Sequence, residues 1–175
     1  MDAVLKFDFF ILDLIRNNLT CGFFDGLMVF FTKLGDGGIV WIALTVICLI
    51  SDKYRKVGAA MAVSLVIALL AGVMGLKELV ARPRPFQLKD VYLLIPEPAG
   101  FSFPSGHTMA SFAAAFSVWL THKKEGTLTL IVAALIGFSR IYLYVHFLTD
   151  VLAGAVLGIL FGWIGTALVY KKIKF

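Results

Sequence analysis

The sequence predicts an all-α integral membrane protein, a helical bundle of about six transmembrane helices with an amphipathic helix at its N-terminus. Hydrophobic residues make up 60% of the 175 residues and charged residues only 15%, and the mean hydropathy is +0.92. Soluble domains rarely have this composition, and the apolar runs approach the length that crosses a bilayer. The runs lack the period-2 alternation of transmembrane strands, so we expect helices. The length allows a single membrane domain over residues 1–175.

The first helix is predicted to be amphipathic. On a helical wheel Asp2, Lys6, Asp13 and Asn17 fall within one stripe, and apolar residues lie off that stripe. This pattern favours a helix lying in the membrane interface, with a tilted first span as the alternative. Together with Asp8, the aspartates in this stripe also argue against a cleavable signal peptide.

Six apolar segments follow in order, separated by polar or glycine-rich connections. Between the third and fourth segments lies a long polar stretch, residues 78–104, that contains all five prolines. Gly154, Gly158 and Gly162 recur every four residues in the last segment and predict close helix contact rather than a hinge. The six segments are residues 23–31, 39–50, 57–76, 106–120, 128–144 and 148–170.

The basic residues predict which side of the membrane each connection occupies. If the spans alternate, the lysine and arginine clusters within 53–56, 123–124 and 171–174 share one side, which the positive-inside rule assigns to the cytoplasm. Clusters placed between apolar runs are better explained by topology than by binding to nucleic acid. The opposite side also carries cations, which indicates an anionic ligand there. These cations are Lys77, Arg82, Arg84, Lys89 and Arg140.

Seven polar residues lie at the outer ends of the predicted spans or in the loop beside them. Ionisable groups at this depth are costly and are candidates for function. They come from well-separated stretches of the chain but share one membrane level. The seven are Lys77, Arg84, Ser105, His107, Arg140, His146 and Asp150.

The spacing of these residues indicates phosphoryl transfer. His146 and Asp150 are four apart, so on a helix the carboxylate would accept the Nδ1 proton and leave Nε2 as a nucleophile or base. A structural His–Asp pair is the alternative. Ser105 and Gly106 precede a helix whose N-terminus suits an anion, and His107 in its first turn is placed to donate a proton. For Ser105 alone, simple N-capping is the alternative.

Three cations would complete such a site. Arg84 and Arg140 each present a fork that suits two phosphate oxygens, and Lys77 adds a point charge, although lipid-headgroup anchoring is the alternative. No acidic cluster is available to hold magnesium, so we expect neither metal nor other cofactor. Asp36 is interpreted as a solvated loop residue, and His122 is assigned no role.

The same residues resemble the three-part signature of the type 2 phosphatidic acid phosphatase superfamily. Its parts are matched by Lys77 with Arg84-Pro85, then by the stretch 104–107 (Pro-Ser-Gly-His), then by Ser139-Arg140 with His146 and Asp150. Arg82-Pro83 is a second Arg-Pro pair, but the six-residue spacing from Lys77 selects Arg84. All three parts are present, in order, and together are far more specific than Pro-Ser-Gly-His alone.

The resemblance implies a role for each matched residue and no metal. His146 would be the nucleophile that forms a phosphohistidine, Asp150 would orient it, and His107 would protonate the leaving oxygen. The remaining matched residues would bind the substrate phosphate, namely Lys77, Arg84, Ser105, Gly106 and Arg140.

Within the superfamily, the predicted spans argue against the soluble acid phosphatases and the haloperoxidases. The chain looks like the small bacterial lipid phosphatases, multi-pass proteins of the cell membrane whose substrates include undecaprenyl diphosphate, phosphatidylglycerophosphate and phosphatidic acid. An outward-facing site favours undecaprenyl diphosphate, because that diphosphate is released on the outer face of the membrane. A lipid phosphotransferase is a close alternative to a phosphatase. A non-enzymatic anion or lipid binder, or a transporter, would need the cations but not both histidines with Asp150.

Overall fold

The computed structural model describes residues 3–172, and within this range it contains helices and no strand, which confirms the all-α prediction. A 3-10 turn over Asp36–Gly38 joins α2 to α3, and a π-helical segment over Ala68–Leu76 joins α4 to α5. The helices are α1 (Ala3–Leu19), α2 (Gly22–Gly35), α3 (Ile39–Ile50), α4 (Arg55–Ile67), α5 (Lys77–Val80), α6 (Pro85–Leu88), α7 (Gly106–Thr121), α8 (Lys123–Tyr142) and α9 (Leu148–Lys172).

The six predicted apolar segments correspond to α2, α3, α4 with its π segment, α7, α8 and α9. Four stretches within the described range are long and apolar enough to cross a membrane; the first comprises both α2 and α3, and the second runs from α4 to α6. The 16 residues of α7 reach only about 24 Å, less than the roughly 30 Å of a bilayer core. Because α7 packs against α4, α8 and α9, neighbouring helices rather than lipid surround much of it. The four stretches are Gly22–Ile50, Arg55–Leu88, Lys123–Tyr142 and Leu148–Lys171.

Helices α7 and α9 approach each other closely along the glycine face predicted in the last segment. Carbonyl oxygens of α7 lie 2.8, 2.5 and 2.7 Å from the positions that a Cβ would occupy at Gly154, Gly158 and Gly162. Any larger residue would therefore push against the backbone of α7. This contact sets α9, and the polar residues at its start, directly against the start of α7.

Replacing Gly158 with alanine is expected to lower the free energy of unfolding by about 1–3 kcal/mol, since the added Cβ would lie 2.5 Å from a carbonyl oxygen. The measurement is thermal unfolding in detergent. Gly26→Ala is the matched control, because nothing lies within 4 Å of its Cβ position. Alanine should leave stability at that site equal or slightly higher. Equal unfolding midpoints for the two variants would contradict this account of the α7–α9 contact.

Helix α1 is amphipathic as predicted and packs one face against α8 and α9. Leu12 is buried there in a cluster with Ile141 and Phe147, whereas Phe10 on the opposite side is 61% exposed. Asp2, part of the predicted polar stripe, lies outside the described residues. Asp8 lies outside the polar stripe predicted from the helical wheel. In the structure its side chain is fully buried.

Candidate functional site

A cavity of about 610 Å³ opens at the predicted outer end of the bundle, between the start of α7 and the helices α3 and α4. Six of the eight predicted site residues line it: Gly106 and five residues with functional side chains, whereas Ser105 and Asp150 do not. The five side chains come from five separate parts of the fold: the start of α5, the segment before α6, the first turn of α7, the last turn of α8 and the connection between α8 and α9. In that order the five are Lys77, Arg84, His107, Arg140 and His146.

His146 lies in the connection between α8 and α9 and is 1% exposed. Its Nε2 faces the cavity at 3.2 Å from Nη1 of Arg84. Its Nδ1 lies 3.4 Å from the Ser102 hydroxyl and 3.6 Å from Oδ2 of Asp150, which is too far for a hydrogen bond to the carboxylate. The predicted direct His146–Asp150 hydrogen bond is therefore wrong. His146 precedes α9 by two residues, so the four-residue helical spacing does not apply to it.

Asp150 acts on His146 through Ser102. The Ser102 hydroxyl donates to Oδ2 of Asp150 at 2.5 Å, which leaves its lone pairs facing Nδ1 of His146. The backbone N–H of Phe147 donates to the same Oδ2 at 2.9 Å, and Arg82 donates to Oδ1 at 2.6 Å. This arrangement favours the imidazole tautomer that carries its proton on Nδ1. The Nε2 lone pair then points into the cavity.

Burial keeps the His146 imidazole neutral. His146 lies between the spans, and removal from water lowers the pKa of its ring well below the ordinary value. Asp150 raises this pKa and the nearby cations of Arg140 and Arg84 lower it, and the net shift stays downward. At neutral pH Nε2 is therefore unprotonated, as a nucleophile requires, and in this structure it accepts from Nη1 of Arg84.

Two buried arginines face His146 across the cavity. Arg84 is held by three backbone carbonyls, because it donates to Gly100 and Ala99 at 2.9 and 3.0 Å and to Val145 at 2.9 Å. Arg140 donates to the Thr32 hydroxyl, but its buried Nε has no hydrogen-bond partner among the described residues. An unpaired buried guanidinium N–H is costly unless an acceptor binds there. With Lys77 at the same cavity, this arrangement suits an anion.

The start of α7 adjoins the cationic end of the cavity. Ser105 is fully buried and occupies the N-cap position, but its side chain makes no capping hydrogen bond and instead accepts one from the Thr108 hydroxyl at 2.9 Å. Its backbone N–H donates to the carbonyl of Asp150 at 3.1 Å and ties the start of α7 to the start of α9. Gly106 lines the cavity where the helix begins.

His107 is paired with an aspartate that the sequence did not connect to the site. Its Nε2 lies 2.8 Å from Oδ1 of Asp36, in the turn between α2 and α3. Asp36 is exposed as expected, with 57% of its side chain accessible, but the interpretation of it as isolated is wrong, because helix packing brings this turn against the start of α7. Gly35 leaves room for the ring, since a Cβ at that position would lie 2.7 Å from Cδ2 of His107.

Sequence reasoning also missed four residues beside His146 and Asp150: Asp8, Arg82, Ser102 and Thr149. Asp8 could have been identified from the sequence, because an aspartate surrounded by apolar residues in a membrane-associated helix is a candidate for function. Arg82 was set aside because only Arg84 has the expected spacing from Lys77. Nothing local distinguishes Ser102 or Thr149 from the other hydroxyl residues of the chain.

Comparison with known sequences places this site in a family. Residues 53–174 match the model of the PAP2 superfamily. Undecaprenyl-diphosphatase of Sulfolobus acidocaldarius is 40% identical over 136 residues, which cover 77% of this chain and 65% of that protein. Undecaprenyl-diphosphatase BcrC of Bacillus subtilis is 32% identical over 149 residues, which cover 80% of this chain and 72% of that protein. The chain thus spans about two-thirds of the length of these relatives.

Two solved structures have the same fold. LpxE of Aquifex aeolicus superposes with a TM-score of 0.77 at 30% identity and covers 94% of this chain and 95% of its own. A PAP2-type phosphatidylglycerolphosphate phosphatase of Bacillus subtilis superposes with a TM-score of 0.81 at 27% identity, over 100% of this chain and 90% of its own. The sequence match and both superpositions agree with the resemblance carried by the three-part signature, and the chain belongs to the PAP2 superfamily.

Proposed function

We propose that the protein is an integral membrane lipid phosphatase that hydrolyses a phosphate or diphosphate monoester of a lipid through a phosphohistidine on His146, without a metal ion. The observation that carries this proposal is the shared cavity. The side chains of His146, His107 and Arg140 all line one volume. A binder or transporter has no use for the two histidines together.

The reaction follows from the positions of these groups. Nε2 of His146 attacks phosphorus while Lys77, Arg84 and Arg140 hold the nonbridging oxygens. The P–O bond to the leaving group breaks as the P–N bond forms, and His107 donates its proton to the leaving oxygen. Water then attacks the phosphohistidine and gives a proton to His107, which releases phosphate and restores both rings. The cations supply the charge stabilisation that a metal would otherwise provide, and Asp36 holds the His107 ring through Nε2.

The rest of the cavity supports a lipid substrate. Beyond the charged end its walls are apolar and come from α3, α4 and the π segment, including Ile42, Val46, Leu65 and Leu69. An acyl or prenyl chain fits this surface while the phosphate meets the cations. The basic clusters within 53–56 and 123–124 lie at the other end of the bundle, so we place the site on the extracytoplasmic side of a bacterial cell membrane.

Undecaprenyl diphosphate is the substrate we favour, because two relatives carry the name undecaprenyl-diphosphatase. Phosphatidylglycerophosphate is the second candidate, favoured by the superposition on the Bacillus subtilis phosphatidylglycerolphosphate phosphatase and by a relative named phosphatidylglycerophosphatase B, 41% identical over 96 residues. Phosphatidic acid hydrolysis and phosphotransfer to an acceptor other than water are the remaining alternatives.

The test is phosphate release by detergent-purified protein in EDTA, with undecaprenyl diphosphate, phosphatidylglycerophosphate and phosphatidic acid offered side by side. We expect turnover in EDTA, concentrated on undecaprenyl diphosphate. Turnover concentrated on a glycerolipid would contradict the favoured substrate but not the reaction. Turnover that requires an added divalent ion would contradict the metal-free mechanism, and no release from any of the lipids would contradict the phosphatase itself.

A further inference from the structure

The N-terminal helix α1 contributes a carboxylate to the region behind the candidate nucleophile. Asp8 is fully buried and faces the start of α9. Its Oδ1 accepts the backbone N–H of Thr149 at 3.0 Å, and its Oδ2 accepts the Thr149 hydroxyl at 2.5 Å and Nη2 of Arg82 at 2.7 Å. A buried charge held this way is expensive, so its position calls for an explanation beyond helix packing.

Arg82 joins Asp8 to Asp150. One side of its guanidinium, Nη2, meets Asp8, while Nη1 donates to Oδ1 of Asp150 at 2.6 Å and to the Thr149 hydroxyl at 2.7 Å. The guanidinium carbon also lies 4.1 Å from the centre of the Phe147 ring. The Arg82 guanidinium is therefore held at both Nη atoms by hydrogen bonds and on one face by the Phe147 ring. A lysine would carry the charge but lacks the geometry to bridge two carboxylates.

We propose that Asp8 and Arg82 are positioning residues for the nucleophile: Asp8 holds Arg82, Arg82 fixes the Asp150 carboxylate, and that carboxylate orients the His146 ring through Ser102. This inference rests on the proposed function, because it assigns these residues to the same reaction. It also makes the interfacial helix α1 part of the site rather than only a membrane contact.

The charge of the network explains why it would affect chemistry more than binding. Asp8, Arg82 and Asp150 together carry one net negative charge. As His146 attacks phosphorus its ring becomes positive, and in a buried site a nearby negative charge stabilises that state. Without Asp8 the guanidinium of Arg82 loses one of its two carboxylate partners and no longer fixes the Asp150 carboxylate, whose negative charge compensates the developing positive ring. None of these three residues lines the cavity, so the affinity for substrate should hardly change.

The test compares Asp8→Asn with Asp13→Asn. Both residues are aspartates of α1 in ion pairs, but Asp13 pairs with Lys89 and accepts from Tyr144, away from Arg82 and Asp150. For Asp8→Asn we expect formation of the phosphoenzyme at saturating substrate to slow by about 10–100-fold, with KM little changed. Asp13→Asn should match the wild type, with thermal unfolding as the folding check. The substrate is whichever lipid of the panel the wild type turns over best.

A double-mutant cycle shows whether Asp8 acts through Arg82. In an Arg82→Gln background, Asp8→Asn should reduce the rate of phosphoenzyme formation little further, because the arginine through which Asp8 acts is already absent. Additive losses would overturn the inference, as would an unchanged rate for Asp8→Asn or an equal loss for Asp13→Asn.

Arg82→Lys provides a second test in case Asp8→Asn does not fold. It keeps the charge at a partly exposed position, so it should fold and still lose rate, and an unchanged rate would overturn the inference. The two proposals fail differently. A wild type inactive on every lipid contradicts the proposed function, whereas an active wild type with an equally active Asp8→Asn variant contradicts only the role of Asp8.

Discussion

His146→Ala is expected to reduce phosphate release by about 10⁴-fold or more and to leave no phosphoenzyme that can be trapped. The imidazole supplies the atom that bonds to phosphorus, and among the residues that line the cavity only His107 carries another imidazole, already paired with Asp36. The measurement combines steady-state phosphate release with acid-labile labelling of the protein in a single turnover.

His122→Ala is the matched control for this variant. His122 lies at the opposite end of the bundle, beside Tyr54 and the hydroxyl of Thr121, and it takes no part in the cavity. It should retain wild-type turnover and labelling. Substantial phosphate release by a folded His146→Ala variant would contradict the phosphohistidine mechanism, and so would a label that persists in it.

Arg140→Gln is expected to lower turnover by about 10²–10³-fold, because it removes a buried donor aimed at the charge that develops on the phosphoryl oxygens. The unpaired Nε of Arg140 has no role within the described residues, so binding of an anion should satisfy it. The same variant should therefore bind vanadate or inorganic phosphate more weakly than the wild type. Turnover and inhibition constants measured on the same preparation check both effects.

Arg55→Gln is the control for the loss of one positive charge. Arg55 is exposed at the opposite end of the bundle and pairs with Asp52, an interaction of small energetic value. It should leave turnover and anion inhibition unchanged. Equal turnover and equal anion inhibition in Arg140→Gln and Arg55→Gln would contradict the cavity as the phosphate site, regardless of the result for His146→Ala.

The candidate site was predictable because membrane burial makes polar residues conspicuous. In a chain that is 60% hydrophobic, a charged side chain at the end of a span carries a cost, so Lys77, Arg84 and Arg140 stand out without any knowledge of the fold. The glycines of α9 were equally readable, since their four-residue spacing is a property of one helix. In each case the signal lies within a few neighbouring positions.

The amino-acid sequence by itself therefore determined that this is an all-helical membrane protein with a group of cationic and other polar residues at one end, because hydropathy, spacing and charge placement are local properties. Only the tertiary structure decided which groups touch. Asp8 meets Arg82 across 74 residues, and His107 meets Asp36 across 71. Ser102 stands between His146 and Asp150 because the loop before α7 folds over the start of α9. Such contacts depend on how the helices pack, and no local pattern encodes that packing.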